Sequence, residues 1–567
     1  MSELLDRICS TMGSCDGLIE ALKTEYVQRR VDIVSEIEEF EKPKYLSAFW
    51  DVDRTLAKLL DVASDLNAQR LFVLVSRFRQ HEGRDLAAGD VDASLIRYFK
   101  RNQDEWRRAF MLATNEIRFS EFIPLMVECA PREELLNVSN RLIELASVEA
   151  TPDQSAAAVF SLGRLPGDIY DDGFLSKFSN IIDVILVRPV KHENVYRAAY
   201  LAIWNVEKKV AGSLEFDCGH LKAKVLASGS LQVLSVSASC LIENHTVEIN
   251  ENLENHLKQF LKVVPKYQGL LRKIDDVLYL VFQKDTAKAI KFLEAYLLAH
   301  IRENASILAF DKSCVALRKH PECLSNLTAR WLLSGHLILR RAIHDITLAK
   351  STEEDLTLCA KLSLKEAREK IVPLFYIATG WMFGSGNTCL GFAISCMRLM
   401  TKKELLSIRD DFKEVYCLNY PDEVSKYISA YKDKDTPMLI RFVGGCLTAE
   451  KARLARISNL GLLNEFKPRP ADQEVYFRRR SEQFKRAYEA AAKQSPIRLV
   501  LGNPIKLIHG NRWVSYAHAN GDKSVRTASD MQCSEKSTRI PHLVAKADFT
   551  LEMMLARFRM IRLRFDE

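Results

Sequence analysis

The chain has 567 residues, of which 47% are hydrophobic and 27% are charged. This length exceeds the roughly 250–300 residues at which a single hydrophobic core stops growing, and the composition excludes a largely disordered chain. The formal net charge of +7 is unevenly distributed: residues 451–567 contain 23 Lys and Arg against 12 Asp and Glu, whereas residues 1–450 contain 58 against 62.

The N-terminal segment has acidic residues at Glu3 and Asp6 and does not show the basic and then apolar layout of a secretory signal. Thirteen cysteines are scattered along the chain without a CxxC pair. An odd and irregular set of this kind is typical of reduced, mostly buried thiols. The sequence therefore predicts a cytoplasmic protein.

Apolar residues recur at helical spacing through most of the first 465 positions, and strand-like alternation is scarce there. Residues 225–242 contain no charge, which is typical of a helix covered on most sides in a bundle or in the inner layer of a solenoid. We predict a mainly α fold, arranged as an irregular α-solenoid or a multi-helix body. Residues 1–210 form its N-terminal helical region, and residues 211–466 form a helical core region with very apolar helices.

The longest uncharged stretch runs from Ile371 to Met397 and is long enough for a membrane span. Its middle reads Gly384-Ser385-Gly386-Asn387-Thr388, which would break a helix at the bilayer centre. We predict two buried helices joined by a turn, and no membrane insertion. The glycines would let a backbone approach a phosphate, but the Lys of a phosphate-binding loop is missing.

Metal ligands with matched spacing are absent from the sequence. Cys218 with His220, and His320 with Cys323, are each only half of a site. No serine, cysteine or threonine can be assigned to a base and an orienting acid. We therefore predict no metal and no cofactor. The absence of a catalytic set favours a non-enzymatic protein and leaves catalysis open.

The composition changes around Lys467-Pro468-Arg469-Pro470, which predicts a linker into a C-terminal module of residues 467–567. A helix over residues 474–493 places Phe477, Phe484 and Tyr488 on one face. We predict strands at residues 497–501, 505–509 and 512–518, followed by a turn at Asn520-Gly521 toward residues 524–527. The module is thus a small α+β unit with a β-meander, and it closes with a helix over residues 549–565.

Basic residues surround the aromatic residues of this module, and such a pattern suits phosphate neutralisation and base stacking. The phosphate-binding residues predicted on the helix and on the hairpin are Arg478, Arg479, Arg480, Lys485, Arg486 and Arg512, with Trp513 beside them. The aromatic residues also fit a second interpretation, in which they form the small core of the module and the charges only solvate its surface.

The segment from Tyr476 to Tyr488, the strand pair of residues 505–516, and His542 with Phe549 and Leu555 resemble a degenerate EH-signature domain. Such domains occur in a component of Zorya-type bacterial anti-phage defence systems, where a helical body precedes them and DNA binding is implied. The resemblance covers about the last hundred residues and carries over His542 as a signature residue. The glutamate of the family is replaced within residues 507–510, and the tryptophan expected after the histidine is missing, so an activity that needs the glutamate would be lost.

We therefore expect a helical scaffold that binds nucleic acid or another polyanion through its basic C-terminal module. The resemblance implies a place among the proteins of a bacterial defence complex. The alternative is a protein-interaction scaffold whose basic tail docks on an acidic protein partner, without nucleic acid.

Overall fold

The computed structural model describes single positions at 24, 57, 58, 60, 61 and 63, and then residues 66–82, 89–147, 150–188, 190, 192–210, 216–243, 248–348, 356–360, 364–431, 435–459, 471, 474–475, 477–479, 481–482, 485–486, 512–519, 523–530 and 549–561. These residues are mainly helical, which confirms the predicted fold class at that level. The chain divides into two compact units, Met1–Ser313 and Cys314–Glu567. The predicted divisions after residues 210 and 466 differ from this one and stay predictions.

In most of the first unit, each helix packs on the helix that lies two positions later in the chain. Its described helices are α1 (Ala68–Glu82), α2 (Gly89–Arg101), α3 (Gln103–Asn115), α4 (Ile123–Glu128), α5 (Leu135–Ser147), α6 (Pro152–Leu162), α7 (Asp172–Val187), α8 (Glu193–Val210), α9 (Cys218–Leu226), α10 (Leu231–Glu243), α11 (Glu251–Phe260), α12 (Gln268–Lys284) and α13 (Thr286–Ala299), with α14 (Asp311–Arg318) beginning at its end. From α4 to α12 each even-numbered helix packs on the next even-numbered one, and α5, α7, α9 and α11 pack on one another in the same way. Two layers of helices result.

Short polar side chains fix where several of these helices begin. Asp171, Asp217, Asn250 and Asp285 each accept a hydrogen bond of 2.7–3.0 Å from the main-chain amide three residues later. Each bond satisfies one of the amides that the first turn of a helix leaves without an intrahelical partner. The sequence thereby sets the start of a helix independently of its packing.

The second unit is organised around one long helix, α17. Its described helices are α15 (Pro321–Leu333), α16 (Leu337–Leu348), α17 (Leu364–Met382), α18 (Asn387–Arg398), α19 (Lys402–Ser407), α20 (Arg409–Phe412), α21 (Pro421–Tyr431), α22 (Pro437–Asn459) and α23 (Phe549–Arg559), with a π-helical turn at Lys413–Cys417. Helix α17 packs against α15, α16, α18 and α23. The last helix of the chain is therefore part of the helical body of this unit.

The uncharged stretch of residues 371–397 forms the end of α17, a 3₁₀ turn at Phe383–Ser385, and most of α18. Gly386 joins them with a φ of 48°, a conformation that favours glycine. This confirms the prediction of two buried helices joined by a turn. Among the described residues, no helix is long and apolar enough to cross a membrane.

A β-hairpin lies between α22 and α23 in the sequence. Strand β1 (Arg512–Ala519) pairs antiparallel with β2 (Lys523–Asp530), from Arg512 opposite Asp530 to Ala519 opposite Lys523. The predicted strand at residues 512–518 is confirmed, whereas the predicted turn at Asn520-Gly521 and the strands at residues 497–501 and 505–509 lie outside the described residues. What is described is a two-stranded hairpin, and the predicted β-meander is not supported.

One close approach between helices generates a prediction about stability. Gly163 ends α6 against α8, and a Cβ atom at this position would lie 2.5 Å from the Cα atom and 2.6 Å from the carbonyl oxygen of Ala202. Because both obstacles are main-chain atoms, α6 and α8 would have to move apart. We expect Gly163→Ala to lower the free energy of unfolding by about 1–3 kcal/mol, as overpacked cores do.

Gly167→Ala is the matched control, because an added Cβ atom there meets no atom within 4 Å. Denaturant titration of both variants measures the difference. Equal stabilities of the two variants would show that α6 and α8 are not in close contact.

Candidate functional site

The predicted phosphate-binding helix is observed as a helix with exposed basic residues. Positions 471, 474–475, 477–479, 481–482 and 485–486 are helical. The side chains of Arg478, Arg479, Lys485 and Arg486 are all exposed. A helix that presents four cationic side chains to solvent is suited to binding phosphate groups without selecting a sequence.

Among the aromatic residues of this helix, the structure describes the exposure of Phe477. Its side chain is 59% exposed, and the neighbouring Val475 is 38% exposed. The core interpretation requires Phe477 to be buried within the module, so this aromatic ring does not act as a core residue in the structure. An exposed ring next to Arg478 and Arg479 has the arrangement needed for stacking on a base.

The end of α22 adds a second exposed basic segment, which sequence reasoning did not single out. Glu450 is buried, and every described side chain from Lys451 to Ile457 is exposed. Arg453 forms an ion pair with Glu450, with a guanidinium nitrogen 2.5 Å from the carboxylate. Lys451 and Arg456 are exposed along the same stretch, which also presents apolar side chains to solvent.

The other predicted site residues are Arg480, Arg512, Trp513 and His542. Arg512 and Trp513 belong to β1, for which the backbone is described. Arg480 and His542 lie outside the described residues. We use the term basic surface for the exposed cations of these two helical segments: Lys451, Arg456, Arg478, Arg479, Lys485 and Arg486.

The structure brings together no metal site among the residues that it describes. No group of three or more His, Cys, Asp and Glu side chains there is arranged to hold a metal ion. Cys218 is buried and His220 is exposed, so this half-site gains no further ligand. The ten described cysteines are free thiols, and all except Cys323 and Cys359 are buried, as predicted.

A buried tyrosine–histidine pair in the first unit was not found from the sequence. The hydroxyl of Tyr200 on α8 lies 2.6 Å from Nε2 of His256 on α11, and both side chains are fully buried. Nδ1 of His256 lies 2.7 Å from the carbonyl oxygen of Asn252. Since a carbonyl can only accept, Nδ1 carries the proton and Nε2 accepts from the tyrosine hydroxyl. Both polar groups are thereby satisfied inside an apolar core.

Burial determines the electrostatics of this pair. Desolvation lowers the pKa of His256 to about 4, and nearby Lys222 acts in the same direction. Burial also holds the pKa of Tyr200 well above its usual value. At neutral pH both groups are therefore uncharged, and the pair serves to connect α8 with α11.

Lys222 lies close to this pair and is bound to a carboxylate. Its buried ammonium group is 2.6 Å and 2.8 Å from the two carboxylate oxygens of Glu207, which is itself partly exposed. The same nitrogen lies 5.3 Å from the ring centroid of Trp204. A buried lysine is stable in the core only with such partners.

A second buried polar chain lies at the π-helical turn of the second unit. Thr379 donates to the carbonyl oxygen of Phe375, so the Tyr416 hydroxyl donates to Thr379 Oγ1 at 2.8 Å, and Cys389 Sγ lies 3.2 Å from that hydroxyl. Burial raises the pKa of Cys389 to about 12, so this thiol is not a reactive thiolate at neutral pH. The chain of hydrogen bonds accounts for its polar atoms without a catalytic role.

No family model, no curated protein and no solved structure matches the chain. The resemblance to EH-signature domains therefore stays a prediction.

The lowered pKa of His256 makes the stability of the first unit depend on pH. The unfolded histidine titrates near pH 6.5 and the folded one near 4, so stability is fully present above pH 6.5 and is lost as the pH falls toward 4. Between pH 7 and pH 5 we expect this residue to account for a loss on the order of 2 kcal/mol.

His256→Gln removes the titrating group and should reduce the loss of unfolding free energy between pH 7 and pH 5. The control is His220→Gln, which changes an exposed histidine of the same unit. Denaturant titration at both pH values measures the loss, and an equal loss in the two variants would contradict the assignment.

Proposed function

We propose that the protein is a helical scaffold that binds nucleic acid, or another polyanion, through the basic surface of its second unit. The observation that carries the proposal is the exposure of Arg478, Arg479, Lys485 and Arg486 on one helix. Long cationic side chains that remain in solvent can neutralise phosphates and release the counterions bound to them. Lys451 and Arg456 on α22 extend the cationic set within the same unit.

Phe477 supports nucleic acid among the polyanions. This residue is 59% exposed, and two arginines follow it in the sequence. Stacking of one base on an aromatic ring contributes about 1–3 kcal/mol and depends little on which base is present. Arginine and phenylalanine together therefore fit a single-stranded segment, whose bases are free to stack.

The scaffold part of the proposal is supported by the packing of the first unit. Helices α4 to α12 pack in two alternating series, as the helix pairs of an α-solenoid do. Such stacking produces an extended surface on which other proteins bind. Membership of a defence complex, as implied by the EH-signature resemblance, is part of this proposal.

A second candidate function is supported by the apolar residues near the basic ones. Leu454 and Ile457 at the end of α22 are 39% and 49% exposed. Nucleic acid offers little to such aliphatic side chains, whereas an acidic protein with an apolar centre would bury them. The alternative is therefore a basic surface that docks on an acidic protein, without nucleic acid.

The two candidates are separated by binding measurements across a salt series. We expect the full chain to bind labelled single-stranded DNA with an affinity that falls steeply as salt rises. Replacing Arg478, Arg479, Lys485 and Arg486 by Ala should weaken binding roughly tenfold or more and reduce the slope of log affinity against log salt by about 0.7 for each lost contact. The loss should be similar for two unrelated sequences.

The control variant removes four exposed cations from the first unit, at Lys258, Lys284, Lys291 and Arg302. It changes the net charge of the protein by the same amount, so it should affect binding little if the basic surface is the binding site. Equal effects of the two variants would indicate only non-specific charge attraction. Absence of DNA and RNA binding at low salt would favour the acidic protein partner.

A further inference from the structure

The last helix of the chain fits closely against the centre of the second unit. Leu551, Leu555 and Phe558 of α23 are buried, and the Phe558 ring lies 4.7 Å from the ring of Tyr376 on α17. A Cβ atom at Gly380 of α17 would lie 2.9 Å from the main-chain nitrogen of Arg559. Only a residue without a side chain allows the two helices to approach this closely.

Polar contacts fix the C-terminal end of α23. The Nε atom of Arg559 donates a hydrogen bond of 2.6 Å to the carbonyl oxygen of Gly380. In the other direction, a terminal nitrogen of Arg340 on α16 donates to the carbonyl oxygens of Arg559 and Ile561, at 3.4 Å and 3.1 Å. Reciprocal contacts of this kind hold both the position and the direction of α23.

Arg340 connects the ends of two helices. Its side chain is buried, and its Nε atom donates a hydrogen bond of 2.8 Å to the carbonyl oxygen of Leu332 at the end of α15. Carbonyl oxygens at helix C-termini carry partial negative charge and lack partners within their own helix. The guanidinium group therefore satisfies carbonyl groups of α15 and of the α23 end at once. If α23 moved away, Arg340 would lose two of its three acceptors.

The position of α23 in the sequence gives this docking a consequence. Residues 460–548, which include the basic helix and the β-hairpin, connect α22 with α23, and both of these helices belong to the second unit. With α23 docked, the chain between α22 and α23 is anchored to the second unit at both of its ends. With α23 released, it is anchored at α22 alone.

We propose that α23 is a releasable strap, which opens as a unit while α17 and α18 stay folded. The strap is short, and of its described side chains three are buried: Leu551, Leu555 and Phe558. Helices α17 and α18 bury far more of their residues in the unit. Segments with fewer buried contacts open at lower free energy than the core around them. This inference does not depend on polyanion binding.

Hydrogen–deuterium exchange on the full chain tests the strap. We expect the amides of α23 to be protected, but to exchange at least tenfold faster than those of α17. Gly380→Ala forces α23 away from α17 and should accelerate exchange in α23 at least tenfold further, with little change in α18. Arg340→Met, which keeps an unbranched side chain but removes the donors, should accelerate α23 in the same selective way.

Gly391→Ala is the matched control, because a Cβ atom at this glycine of α18 meets no atom within 4 Å. It should leave exchange in α23 unchanged. If α23 and α17 exchange at one common rate, or if Gly380→Ala accelerates all helices of the unit equally, α23 is part of a single cooperative core and the strap is refuted. Unprotected amides in α23 of the unmodified protein would refute the docking itself.

Discussion

The structure depends on one requirement: a helix with apolar side chains over much of its surface must be covered by several neighbouring helices. Helix α8 is an example, since Ala198 and Ala202 are buried on one flank and Tyr196 and Tyr200 on the other, so that the buried arc covers about half of its circumference. One neighbouring helix cannot cover such a surface. Packing against α6 on one side and α10 on the other does, with α9 also in contact. The alternating series of the first unit follows from this requirement, and so does the closeness that Gly163 makes possible.

Extensive coverage leaves little access to water, and several polar groups inside are satisfied by one another. Tyr200 is paired with His256, and Lys222 is paired with Glu207. Asp275 of α12 shows the same principle in another form, because its buried carboxylate accepts from the main-chain amides of Lys312 and Ser313 at the start of α14. Burial raises the pKa of this carboxyl, and the hydrogen bonds from α14 oppose the rise. These groups connect α8 with α11, α8 with α9, and α12 with α14. Burial is the main cause of the perturbed pKa values of His256, Tyr200 and Asp275.

Local patterns in the sequence were sufficient to predict helices and the turn between them, but they did not show which helices pack on each other. The turn within residues 371–397 was predictable because glycine residues interrupt an apolar run there. The apolar face of α23 was also predictable from the spacing of Leu551, Leu555 and Phe558. Its docking site was not, because Gly380 lies 179 residues before Arg559 and carries no pattern that marks a helix contact. Tyr200 and His256 were missed for the same reason.

The candidate site shows the same limit of local sequence patterns. The excess of basic residues was sufficient to identify the C-terminal module as the candidate site. Periodicity could not decide whether Phe477 is a core residue or an exposed ring, because both arrangements place it on one face of a helix. In the structure Phe477 is exposed. The contacts of α23 add a constraint that composition does not contain: a basic segment attached at both ends has fewer conformations to lose when it binds a ligand than a free tail does. With α23 docked, ligand binding is therefore favoured if the chain between α22 and α23 already presents its cations in the bound arrangement. Binding is opposed if the ligand requires this part of the chain to be extended with one end released.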